Sequence, residues 1–173
     1  MASYYYLIPS LPDLTTDGEM PCTYEEFLQM CEANVSEAKY EYLRDLTLDS
    51  NEGPLMEDWG EFYRNLTREI NAQRSAILGR QYSSEYDKDP VNTLIAQQAI
   101  SAENPLTAEK MLLDYQFDVI DTLIGLHSFD DVYLFGYAIK LKLLERQSCF
   151  VQSKGAEEFK HLFENVQESV YNL

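Results

Sequence analysis

Glu158 and His161 stand three residues apart in Glu158-Phe159-Lys160-His161, a spacing that on a helix sets a carboxylate beside an imidazole. Carboxylate-bridged di-iron bundles are built from such pairs, but they take two of them from two helices together with two more glutamates. His127 is the other histidine of the chain, and Ile124 stands where its glutamate would have to be. The set is incomplete, so Glu158 and His161 read as an exposed helical pair. Asp114, Asp118 and Asp121 follow at intervals of four and three residues and form an acidic stripe, a geometry that could serve metal or acid–base work. Their helical angle opposes Leu113, Phe117, Ile120 and Ile124, which favours a solvated face or a docking surface for basic side chains. A small helical metal enzyme built on Glu158, His161 and the aspartates therefore stands only as a third reading.

Other chemistry is hard to assemble. Cys22, Cys31 and Cys149 are odd in number and lack the close pairing of zinc or redox motifs, which makes each a small apolar filler in a reducing compartment. There is no Gly-rich phosphate loop, nucleophile elbow or His-Glu-x-x-His motif. A non-enzyme without cofactor or metal is the expectation. The net charge of −17 opposes binding to nucleic acid or anionic lipid. Residues 1–60 hold 13 of the 30 acids against only Lys39 and Arg44, so a steered partner would meet that part with a basic patch.

The elements that carry these residues are helices. Gly 7 and Pro 6 are few for a turn-dense β fold. Thr23-Tyr24-Glu25-Glu26 is a capping box that opens a helix through about Glu32. A second short helix spans Ser36 to Leu46, and turn-forming Asp49 to Pro54 marks the best internal boundary of a single domain over 1–173. Leu55, Trp59, Phe62, Leu66, Ile70 and Ile77, with Gln73 as the lapse, stripe a long helix whose outer face holds Arg64, Arg68 and Arg74 among Glu61 and Glu69. Pro90 restarts a helix to about Ala102 after a polar loop. Asn104-Pro105 opens another to about Leu126. Ser128, with Asp131 three residues on, opens the helix from Phe129 to about Val151, and the short join makes an αα-hairpin. Ala156, Phe159, Leu162, Phe163, Val166 and Val170 stripe a last helix. The predicted fold is an all-α antiparallel bundle of about six or seven helices. The N-terminus has no basic region before its short apolar run, and no stretch reaches the ~18 apolar residues of a membrane span, so a cytoplasmic location is expected.

Aromatic residues are abundant, with Tyr 13, Phe 8 and Trp 1. Ser3 to Leu14, SYYYLIPSLPDL, is interrupted by Pro9 and Pro12 and too short for a free-standing helix, so it must pack on something else. Tyr4, Tyr5 and Tyr6 are consecutive, so at least one faces away from what the others bury. Trp59 and Tyr63 flank Phe62 on the long helix. The plain reading is core and rim; the functional one is an aromatic docking patch. The candidate partner-binding residues are therefore Tyr4, Tyr5, Tyr6, Trp59, Tyr63, Asp114, Asp118 and Asp121.

Ser3–Leu14 and Phe135–Arg146, FGYAIKLKLLER, together resemble a family of uncharacterised proteins encoded beside V-type ATPase genes in some bacteria. The second stretch is similar to the closing helices of the central-stalk subunit of V-type ATPases, an all-helical funnel that joins rotor shaft to membrane ring. The resemblance implies a bundle like that of the funnel subunit and a non-catalytic stalk or accessory component, with rotor or stalk subunits as partners and a place peripheral to the membrane through that complex. No catalytic or ligand-binding position follows from it. A helical adaptor of another complex shares every physical feature and differs only in partner.

Overall fold

Thr23 starts the first helix as its capping box requires. In the computed structural model, which describes residues 4–83 and 85–149, the Thr23 hydroxyl accepts from the Glu26 amide while the Glu26 carboxylate accepts from the Thr23 amide. Helix α1 then runs Tyr24–Glu32 and α2 runs Glu37–Arg44. After the turn at 49–54 comes α3, Met56–Ile77. Helix α4, Pro90–Ser101, is capped by Asp89, whose side chain accepts from the Val91 and Asn92 amides; α5, Pro105–Ile124, is capped by Asn104. Helix α6 spans Asp131–Ser148. The fold is all-α: besides these six helices the described residues hold one 3₁₀ turn at Ile8–Ser10 and no strand. The expected last helix, with Glu158 and His161, lies outside the described residues.

The opening of α6 differs from expectation. Asp130 caps it by accepting from the Tyr133 amide, because Asp130, not Ser128, stands in extended backbone just before the first turn. Asp131 is left for longer-range work. It accepts from the Tyr4 hydroxyl at 2.6 Å and from Lys39 Nζ at 2.6 Å, joining the N-terminal segment and α2 to the start of α6.

The sequence Leu134 to Ile139 is apolar all round, and a helix of that kind must be covered on every side. Helix α6 is the centre of the fold. Helix α5 lies antiparallel on one side, tied by Lys140–Asp121 and Arg146–Glu109. The two helices approach so closely that a Cβ on Gly136 would stand 2.5 Å from Ile124 Cδ1. Helix α1 covers another side through Phe27, whose ring centroid is 5.4 Å from that of Tyr137. The rest of α3 and α5 grips α4 through a smaller core of Leu66, Ala99 and Leu112.

The turn at 49–54 is wired into this core. Trp59 Nε1–H donates to the Leu48 carbonyl at 2.9 Å, and buried residues on both sides of the turn, Leu43, Leu46, Met56 and Trp59, belong to one cluster. Gly53 has φ +119°, and a Cβ there would sit 2.6 Å from the Phe135 ring. Gly53→Ala is therefore expected to cost about 2 kcal/mol or more, since backbone strain and overpacking add. A urea-unfolding midpoint unchanged from the parent chain would contradict this packing.

Candidate partner-binding surface

The segment before α1 reaches the bundle as its prolines and aromatics require, by packing on an existing surface. The Tyr4 amide donates to the Phe129 carbonyl at 2.9 Å, and Tyr4, Leu7, Ile8 and Leu11 are buried. Residues 12–22 then form an Ω-like loop whose two ends meet at Tyr137. The Tyr137 hydroxyl donates to the Pro12 carbonyl at 2.9 Å and lies 3.9 Å from Cys22 Sγ. Burial pushes the Tyr137 hydroxyl well above its ordinary value, so it stays a donor. Lys110 bonds Asp17 at the far side of the loop.

This attachment divides the three consecutive tyrosines. Tyr4 is buried, with its hydroxyl on Asp131 and its ionisation pushed up, first by burial and then by that carboxylate. Tyr5 is 64% exposed and Tyr6 91% exposed. The Tyr5 ring stands over Phe129 at 5.0 Å between centroids. Leu126, three residues before Phe129 in the α5–α6 turn, is fully exposed. Tyr5 and Phe129 thus make an aromatic end that the chain leaves in solvent, with Tyr6 and Leu126 exposed close by in the sequence. Leu126 and Phe129 are absent from the residues expected to bind a partner. Periodicity puts both at the ends of helices, and the structure instead releases 125–130 as a turn after Gly125, whose φ is +55°.

The second aromatic group is structural. Trp59 is 0% exposed and packs against Phe62 and Tyr63 at 5.4 and 5.7 Å. Tyr4 and Trp59 are thus corrections to the docking-patch reading, because a partner cannot touch side chains that the fold encloses. Tyr63 is half-buried, its hydroxyl within 3.5 Å of Arg146 Nη1.

The aspartates stand on one face of α5, where the sequence spacing puts them. Asp118 and Asp121 are exposed and Asp114 is half-buried. Asp121 pairs with Lys140 at 2.5 Å, while Lys140 Nζ also lies 5.0 Å from the Phe117 ring. Asp114 acts on Lys110 through space and, after the Asp17 partner, helps hold that ammonium charged.

The outer-face assignment of Glu69 is overturned. Its side chain is only 2% exposed; the Tyr86 hydroxyl donates to it at 2.5 Å and Gln73 Nε2 donates at 2.8 Å. Burial pushes the Glu69 carboxyl up, but the Tyr86, Gln73 and Thr93 side chains outweigh that and hold it below its usual range, with Lys88 adding to the pull. Tyr86 is itself pushed up to about 12, first by its partial burial and then by this carboxylate. The pair fastens Tyr86, in the loop before α4, to α3.

The cysteines divide as well. Cys31 is buried, its thiol raised to about 12 by that burial, as suits a filler, and Cys22 is partly covered. Cys149 is exposed, so the filler reading fails there. Among the described residues no three His, Cys, Asp or Glu side chains converge as a metal would need, and no helix is long and apolar enough to cross a membrane.

Comparison with family models, curated proteins and solved structures gave no match to this chain.

Proposed function

We propose that this chain is a non-catalytic helical component that works by binding another protein, as a subunit or assembly factor of a bacterial V-type ATPase. The observation that supports protein binding is the exposed pair Tyr5 and Phe129, with Tyr6 and Leu126 exposed close by in the sequence, on a well-packed frame. Contiguous exposed aromatics are costly to keep in water and are enriched where interfaces draw most of their affinity. The choice of complex rests on the resemblance of Ser3–Leu14 and Phe135–Arg146 to proteins encoded with that motor and to its funnel-shaped stalk subunit. Tyr5 and Tyr6 belong to the first of those stretches, which makes rotor and stalk subunits the first partners to test.

The tagged chain, purified from its native host, is expected to bring ATPase rotor or stalk subunits with it. Tyr5→Ala combined with Tyr6→Ala should reduce that capture about tenfold or more, with the melting temperature nearly unchanged. An eluate without ATPase subunits would sink the V-type assignment, and a different complex in their place would redirect it to a helical adaptor. Undiminished capture by the double variant would remove the aromatic end as the binding surface.

A further inference from the structure

A groove opens beside the exposed aromatic end, between residues 8–15 and the α5–α6 hairpin. It encloses about 700 Å³, and its walls include Ile8, Leu11, Leu14, Ile124, Phe129 and Tyr133. Phe129 belongs both to this wall and to the ring pair with Tyr5, so groove and aromatic end form one continuous surface. Asp13, Asp121 and Lys140 also line it. From Asp121 the outer face of α5 carries Asp118 and Asp114 at successive turns away from the groove.

The cations nearby are already engaged. Lys140 is on Asp121, Lys110 on Asp17, Lys39 on Asp131, and His127 faces Asp130. Asp13 and Asp118 remain exposed. The surface is therefore apolar at its floor and negative along one edge. A second copy would bring the same sign of charge to this edge, with −17 on each chain, so self-pairing is opposed.

Resting on the protein-binding reading above, we infer that the groove seats an amphipathic helix of a different, basic protein. An aromatic or aliphatic anchor fills the groove, and lysines or arginines one turn apart run beside Asp121, Asp118 and Asp114. At 1.5 Å rise per residue those aspartates follow one another at about 4.5 and 6 Å along α5. A helix lying alongside presents its own side chains at the same intervals.

The test uses the full chain and a fluorescein-labelled synthetic helix of about 18 residues, with Phe and Leu on one stripe and Lys beside it at intervals of three and four. A control peptide has the same composition with the lysines moved to the opposite face. The matched peptide should bind measurably tighter than the control by anisotropy. Asp114→Asn with Asp118→Asn should weaken it about three- to tenfold, and the difference should close as salt rises from about 50 to about 500 mM. Ser128→Trp, which fills the groove from an exposed lip position, should abolish binding at either salt. Equal binding of the control peptide, unchanged affinity in both variants, or a dimer of the parent chain that Ser128→Trp dissolves would each overturn the inference. If the native partner is still captured by both variants, the groove fails and the protein-binding reading stands. If the parent chain captures no ATPase subunit while the matched peptide fills the groove, the V-type assignment fails and the groove stands.

Discussion

Trp59→Ala is expected to lower the unfolding free energy by about 3–5 kcal/mol, as large-to-small changes at sealed aromatic sites do. Among the described residues no fully buried side chain is larger. The indole stands between α3 and the turn at 49–54, stacks on Tyr63 and gives its N–H to Leu48, so truncation both opens a cavity and leaves a carbonyl without its donor. Against the 5–15 kcal/mol typical of folded domains this is a large fraction. The change removes the single tryptophan, so urea unfolding must be followed by far-ultraviolet circular dichroism. Trp59→Phe keeps a ring in place and should recover more than half of the loss. A cost below about 1 kcal/mol for the alanine variant would mean that the core is not organised around this residue. The Tyr5 and Tyr6 variants provide the opposite pattern, binding lost with stability kept.

Glu69→Gln is expected to be a pH-dependent lesion of about 2 kcal/mol near neutral pH, the scale of hydrogen bonds to a charged group. The folded chain holds the Glu69 carboxyl below its ordinary 4.5, so folding favours the ionised form. Its contribution is therefore complete above about pH 4.5 and is lost as pH falls through the lower, folded value. Glutamine keeps the shape and cannot titrate. The stability gap between parent and variant should thus be widest near pH 7 and shrink toward about pH 3. A gap that stays constant over that interval would show that Glu69 acts by packing alone. Tyr86→Phe removes the donor from the same contact and should free residues 85–89, seen as faster amide exchange there, while α3 itself stays protected.

Much of the fold was legible because its signals are local. The Thr23–Glu26 box, Pro90, the Asn104-Pro105 pair and the apolar spacing of α3 and α5 each involve residues within a turn or two of one another, and the helices begin and end close to where those residues put them. Legibility ended where burial depends on distant partners. Periodicity placed Glu69 outside because carboxylates favour water; the Tyr86 hydroxyl that offsets its burial is 17 residues away in a loop. That α1, α5 and the segment before α1 all close on α6 depends on such distant partners as well. The continuous apolar run Leu134–Ile139 was the available hint. Of the candidate surface, Tyr5, Tyr6 and the α5 aspartates were found by type and spacing. Leu126 and Phe129 were hidden inside expected helices, and only the Gly125 turn exposes them.

Asp131 and Tyr137 give the chain an order of events as well as a shape. Each collects groups from the first quarter of the sequence: Tyr4 and Lys39 meet Asp131 across separations of 127 and 92 residues, and Pro12 meets Tyr137 across 125. During synthesis, which proceeds from the N-terminus, residues 4–22 and α2 leave the ribosome long before α6 exists to receive them. They must stay unsatisfied, apolar side chains included, until the nascent chain has passed Tyr137. The last described helix is in this sense the template on which a part of the chain made well before it is laid down.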